Sequence, residues 1–109
     1  MKRHSVLVTA AAARDIADIH AYVAKQDGDR RASQLLDRIE AVLGKLAELP
    51  LRGNHPKELA ALGIHDYRET RFKPYRVIYR VIEDSVYVLL VVDGRRDMQS
   101  LLARRLLED

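Results

Sequence analysis

Hydrophobic and polar positions along the chain change period twice, and the changes mark out its elements. A short apolar run, Val6-Leu7-Val8, leads to Thr9, whose hydroxyl suits the N-cap of a helix. Behind it Ala12, Ile16, Ile19 and Val23 recur at spacings of 4, 3 and 4, one face of an α-helix, with Asp15, Asp18 and Lys25 on other faces. Gln26-Asp27-Gly28-Asp29 reads as a turn of about four residues, with Gly28 available for a positive φ. A second helix follows with the strongest periodicity in the chain: Ala32, Leu35, Leu36, Ile39, Val42, Leu43 and Leu46 form a broad apolar stripe, ended by Pro50 and Gly53. The short turn folds the two helices back as an antiparallel hairpin. Neither can bury its stripe alone, so each needs the other and a sheet.

Residues 50–65 are irregular, with Pro50, Gly53, Asn54, Pro56 and Gly63; a short helical turn fits around Lys57–Leu62. From Tyr67 the period becomes two. Tyr75, Val77, Tyr79 and Val81 alternate with Arg76, Ile78, Arg80 and Ile82, and Val86, Val88, Leu90 and Val92 alternate with Tyr87, Leu89, Val91 and Asp93. Glu83-Asp84-Ser85 joins these runs as a tight turn, and Lys73-Pro74 precedes them, giving a third antiparallel strand at 66–72. The run 86–92 is apolar on both faces, the mark of a central strand covered on both sides. Gly94 ends it, and Asp97 caps a last helix that buries Met98, Leu101, Leu102 and Leu106. The reading is β-α-α-β-β-β-α. It predicts one α+β domain over 1–109: an N-terminal strand and a two-helix hairpin on a small, mainly antiparallel sheet, with a short C-terminal helix.

Composition narrows the function classes. With 48% apolar residues in 109, the chain can build a core and is not disordered. It has no cysteine, which excludes a disulfide scaffold. The four histidines, His4, His20, His55 and His65, lack metal-ligand spacing, so no metal is expected. No apolar run reaches the roughly 18 residues a membrane span requires. Arg14 and Asp15 interrupt the stretch behind the basic start, which argues against a secretion signal. A small soluble protein of the cytoplasm is expected. The formal net charge of +3 is spread over both halves and does not announce a nucleic-acid binder. Locally, however, residues 68–80 hold Arg68, Arg71, Lys73, Arg76 and Arg80 against Glu69 alone, and Arg95-Arg96 and Arg104-Arg105 follow as pairs. Arg80 reads as solvated, Arg104-Arg105 as suited to a helix C-terminus, and Tyr75, Tyr79 and Tyr87 as sheet packing.

The string Tyr75-Arg76-Val77-Ile78-Tyr79-Arg80-Val81, then Glu83-Asp84, an apolar strand and Gly94-Arg95-Arg96-Asp97, resembles the C-terminal half of the RelE/ParE superfamily of toxins. Asp15-Ile16, Ile19 and Tyr22-Val23 are similar to its first helix, and Leu43, Leu46, Pro50 and Gly53 to its second helix and exit. Such proteins are the toxin halves of type II toxin–antitoxin pairs. The resemblance implies a hairpin of helices on an antiparallel sheet, a hetero-oligomer with a cognate antitoxin, and no cofactor. RelE-like members cut mRNA on the ribosome; ParE-like members inhibit DNA gyrase.

RNA cleavage by an internal 2′-hydroxyl needs proton-transfer groups and cations around the phosphorus. By the resemblance, Arg76 and Arg96 match the arginines of that chemistry, and Arg68 and Arg71 match its basic strand loosely, with Glu69 between them. The aromatic acid/base that follows six residues after the second arginine is replaced by Leu102, and neither His nor Tyr occurs after Tyr87. Asp93 stands where many ParE-like chains have His, and it pairs more readily with Arg95 or Arg76 than it acts as a base. The expected class is therefore a ParE-like toxin that binds DNA gyrase and is neutralised by an antitoxin. Its expected target- or phosphate-binding residues are Arg68, Arg71, Lys73, Arg76, Arg95 and Arg96. The alternative is a ribosome-dependent mRNA endoribonuclease using Arg76 and Arg96, and a third reading keeps the fold and antitoxin partner without toxicity. Apolar stripes on three helices exceed what a hairpin and a small sheet cover, and a basic groove with apolar margins would suit the antitoxin's acidic and apolar segment.

Overall fold

A computed structural model describes residues 3–108. Strand β1 (Ser5–Val8) leads into helix α1 (Ala10–Asp27), which turns directly into α2 (Asp29–Glu48). A connecting segment holds the single turn α3 (Lys57–Ala60) and enters strands β2 (Tyr67–Phe72), β3 (Tyr75–Ile82) and β4 (Ser85–Asp93), with α4 (Met98–Glu108) last. Thr9 caps α1 as expected, its hydroxyl accepting from the Ala12 N–H at 3.1 Å. Asp97 caps α4 in the same way, accepting from the Ser100 N–H at 3.2 Å.

The hairpin turn is tighter than its sequence predicts. Gly28 alone separates the helices, at φ 95°, because its N–H still bonds Ala24 while its carbonyl accepts from Ala32. One glycine closes one helix and opens the next, so Asp27 and Asp29 keep helical geometry. The β3–β4 turn likewise contracts to Glu83-Asp84, since Ser85 pairs with Ile82; Glu83 takes φ 54°, as a two-residue hairpin turn requires.

The sheet order is β1-β4-β3-β2, antiparallel except where β1 runs parallel to β4. Both faces of β4 are covered. On one, Val77, Tyr79, Val86, Val88 and Val91 meet Ala12 and Leu46 of the helix hairpin. On the other, Ile78, Leu90 and Val92 meet Leu59, Met98 and Leu102 from α3 and α4. The apolar stripe of α4 is thus consumed by the second sheet face, leaving less excess than the periodicity implied. Strict alternation in β4 also fails once. A bulge skips Leu89, so Val88 pairs with Tyr79 and Leu90 with Ile78, and Val88 and Val91 face the same side.

Beyond Val88, β4 has no strand on the side where β1 lies, because β1 pairs only Ser5–Val8 with Ser85–Val88. Side chains stand in. The Asp15 carboxylate accepts from the Val91 N–H at 3.0 Å, and Arg105 donates to the Leu89 carbonyl at 2.7 Å. These two residues are themselves joined by paired 2.8 Å bonds, tying α1 to α4 across the strand edge.

Candidate functional site

Strand alternation sorts the expected cations before any chemistry begins. In β2, Arg68 stands opposite Tyr79, while Glu69 and Arg71 stand opposite Ile78 and Arg76. Arg68 therefore shares the helix-hairpin face of the sheet, and Arg71 and Arg76 share the face under α3 and α4. The cations that a single phosphate cradle would need lie on opposite sides.

Each has its own partners. Arg68 donates to the carbonyls of Leu51 and Gly53 at 3.1 and 2.9 Å, pinning the segment after α2. Arg76 is only 4% exposed. Its Nη1 and Nη2 meet the two carboxylate oxygens of Glu58, both at 2.9 Å. Its Nε and Nη2 meet those of Glu69 at 2.8 and 3.0 Å. The guanidinium spends its fork on two carboxylates, one from α3 and one from β2. That hydrogen bond from Arg76 holds the Glu58 carboxyl down at about 2 against its ordinary 4.5, outweighing burial. Arg76 in turn is raised above the usual arginine value, first by Glu58. Arg71 adds a 3.2 Å bond to Glu69 and stays mostly exposed.

At the end of β4, one register step from Arg76, Asp93 is held by the side chain and main-chain N–H of Arg95 and falls to about 2. It pairs with Arg95, not Arg76. Gly94 lets the chain pass close to Arg76: a Cβ there would lie 2.9 Å from the arginine's Cδ. Arg96 and Lys73 project into solvent. Arg95 and Arg96 rim a cleft of about 500 Å³ between α1 and the end of β4, with Tyr22 and Tyr75 on its wall. Burial, then the charge of Asp93, raises the Tyr75 hydroxyl above the ordinary phenol value. Leu102, where the acid/base would stand, is a core residue at 1% exposure.

A second hollow, about 660 Å³, runs between α2, the segment 49–54 and the outer strand β2. Val42, Leu46, Leu49 and Phe72 line it with apolar surface, and Lys45 and Arg52 bring positive charge, while Arg71 at its rim is paired with Glu69. Tyr79 shapes its floor: fully buried, it donates its hydroxyl to the Pro50 carbonyl at 2.7 Å and accepts from the Gly53 N–H at 3.2 Å. Sequence reasoning left Lys45 and Arg52 unnoticed, since each is a lone cation on an amphipathic helix or in a loop. It also left Glu58 without a role, although Glu69 already stood out as the one acid among the cations of 68–80. Among the described residues no group of three or more His, Cys, Asp or Glu is placed to hold a metal ion, and no helix is long and apolar enough to cross a membrane.

Comparisons with known proteins agree with this architecture. The family described as "ParE toxin of type II toxin-antitoxin system, parDE" matches residues 6–98. Toxin ParE3 of Caulobacter vibrioides is 28% identical over 100 residues, covering 92% of this chain and 96% of its own. Among solved structures, a chain of the chromosomal ParDE system of P. aeruginosa superposes with a TM-score of 0.71 at 19% identity, covering 84% of this chain and 96% of that one. A chain of the RelBE2 complex of Mycobacterium tuberculosis gives 0.55 at 24% identity, over 84% and 98%. A free RelE mutant of E. coli gives 0.58 at 16% identity, over 97% of each. Similarity at these identities is similarity of fold.

Proposed function

The chain belongs to the ParE toxin family of type II toxin–antitoxin systems, and from that premise we propose that it arrests growth by binding DNA gyrase and is held inactive by a cognate antitoxin. One observation carries the choice of a binding toxin over an RNA-cutting one. Arg76, which the RNase chemistry would turn toward a scissile phosphate, is buried between Glu58 and Glu69. A phosphate brought to it would meet two carboxylates first, and freeing the arginine would leave the Glu58 carboxylate without its cation and Glu69 with Arg71 alone. Leu102 gives the same answer from the proton side, being an alkyl group inside the core. The remaining cations, Lys73, Arg95 and Arg96, are exposed at one end of the sheet and suit recognition of a protein or phosphate surface by charge.

The test is enzymatic. Purified protein, added to gyrase and relaxed plasmid, is expected to block supercoiling, and reversing Arg95 and Arg96 to Glu is expected to weaken the block while the fold persists. Unimpaired supercoiling together with cleavage of ribosome-bound mRNA would overturn the proposal in favour of the endoribonuclease.

A further inference from the structure

Two exposed histidines meet where the segment 55–65 begins and ends. Asn54 is bridged to β2, its carbonyl accepting from the Glu69 N–H at 2.7 Å, and Pro56 is buried at the start of α3, so His55 stands on a fixed main chain. Ile64 packs against the core between the sheet and α4, and its N–H bonds the Leu59 carbonyl at 2.9 Å, which fixes the approach to His65. The two rings lie 5.4 Å apart, centroid to centroid, edge to face at 82°. Spacing along the sequence hides this pair, because the turn of α3 is what brings one histidine back to the other.

His55 is already set as a metal-binding imidazole is. Its Nδ1 lies 3.0 Å from the Tyr67 carbonyl, and a carbonyl only accepts, so Nδ1 carries the proton. The neutral ring then keeps its lone pair on Nε2. Histidines that ligate metals nearly always donate their other N–H in this way, which fixes tautomer and ring orientation. His65 makes no hydrogen bond among the described residues, and its ring is exposed. A Zn–N bond of about 2.1 Å plus roughly 1.1 Å from nitrogen to ring centre, opened at the tetrahedral angle, places two centroids about 5.2 Å apart. A square-planar ion brings them to about 4.5 Å by the same geometry. The observed 5.4 Å fits the tetrahedral ion. We propose that His55 and His65 are a two-histidine site for Zn²⁺, with His55 bound through Nε2 and water filling the remaining positions. Two protein ligands make an open, exchangeable site, where a closed structural one takes four. The site needs nothing from the toxin reading, and the gyrase assay does not bear on it.

Zn²⁺ titrated into the untagged chain, followed by calorimetry and by the NMR of the histidine rings, tests the proposal. One equivalent is expected to bind, saturating below about 1 mM. The ring shifts are expected at His55 and His65 and not at His4 or His20. Mg²⁺, which prefers oxygen ligands, is expected not to compete. His55→Gln and His65→Gln are each expected to weaken binding about tenfold or more. Should His55→Gln disturb the fold through its Tyr67 contact, His65→Gln serves alone, since that exposed ring holds nothing else in place. Four results would overturn the proposal: no saturable binding, zinc held equally well by His65→Gln, ring shifts confined to His4 or His20, or equal binding of Mg²⁺.

Discussion

Arg76 shows how a residue's environment decides its chemistry. On the sequence it is one of several strand arginines with a catalytic counterpart in a related branch; in the fold it is the centre of a buried ion-pair cluster. Replacing it with Met strips Glu58 of its cation and leaves Glu69 with Arg71 alone, and about 3–5 kcal/mol of stability should be lost in urea unfolding. The same cluster sets an acid limit. The Glu58 carboxyl sits at about 2 in the folded chain, below its ordinary 4.5, so its contribution is complete above the ordinary value and fades as pH falls toward 2. The unfolding free energy is expected to fall between roughly pH 5 and pH 2, by on the order of 3 kcal/mol, and Glu58→Gln should flatten that slope. The Asp93–Arg95 pair, though as short as 2.6 Å, contributes little, because Arg95 is 82% exposed and solvent screens it.

Irregular segments are held to regular elements by a few polar anchors. The stretch after α2 is fastened to the sheet by Tyr79, Arg68 and the Asn54 bridge. Removing the hydroxyl in Tyr79→Phe strips the Pro50 carbonyl and the Gly53 N–H of their partner at once, at an expected cost of about 1–3 kcal/mol in thermal or urea unfolding. Gly53→Ala should be worse tolerated than alanine at Gly44. A Cβ at Gly53 meets the Tyr79 hydroxyl and the Glu69 carbonyl, whereas one at Gly44 meets nothing within 4 Å. On the opposite edge Asp15 and Arg105 act as one unit with the Leu89 bulge. A double-mutant cycle over Asp15→Asn and Arg105→Met is expected to give a coupling of about 1–3 kcal/mol. Periodicity revealed these helices and strands because burial imposes it. It was silent about the bulge, since a doubly apolar strand reads alike in either register.

At the scale of the molecule, the sheet is a layer with helices on both sides, and stability depends on both covers. Deleting residues 97–109 uncovers Ile78, Leu90 and Val92 together, and the truncated chain is expected to bind the dye ANS and lose its cooperative unfolding transition. Family membership was legible early because the order Tyr-Arg strand, apolar strand and Gly-Arg-Arg segment spans most of the chain. The expected phosphate-binding set was less so: the structure separates Arg68 from Arg71 and Arg76 by a sheet, and withdraws Arg76 from solvent.

What the amino-acid order determined alone were features with a local cause: helices from an apolar stripe, strands from alternation, and caps at Thr9 and Asp97. Tertiary structure decided whatever depends on distant partners. Glu58 reaches Arg76 across 18 positions and Asp15 reaches Arg105 across 90, and no local pattern encodes which carboxylate a buried guanidinium will meet. Such pairings follow from packing the layers together, because only the assembled core sets which charges lose their water and must find each other.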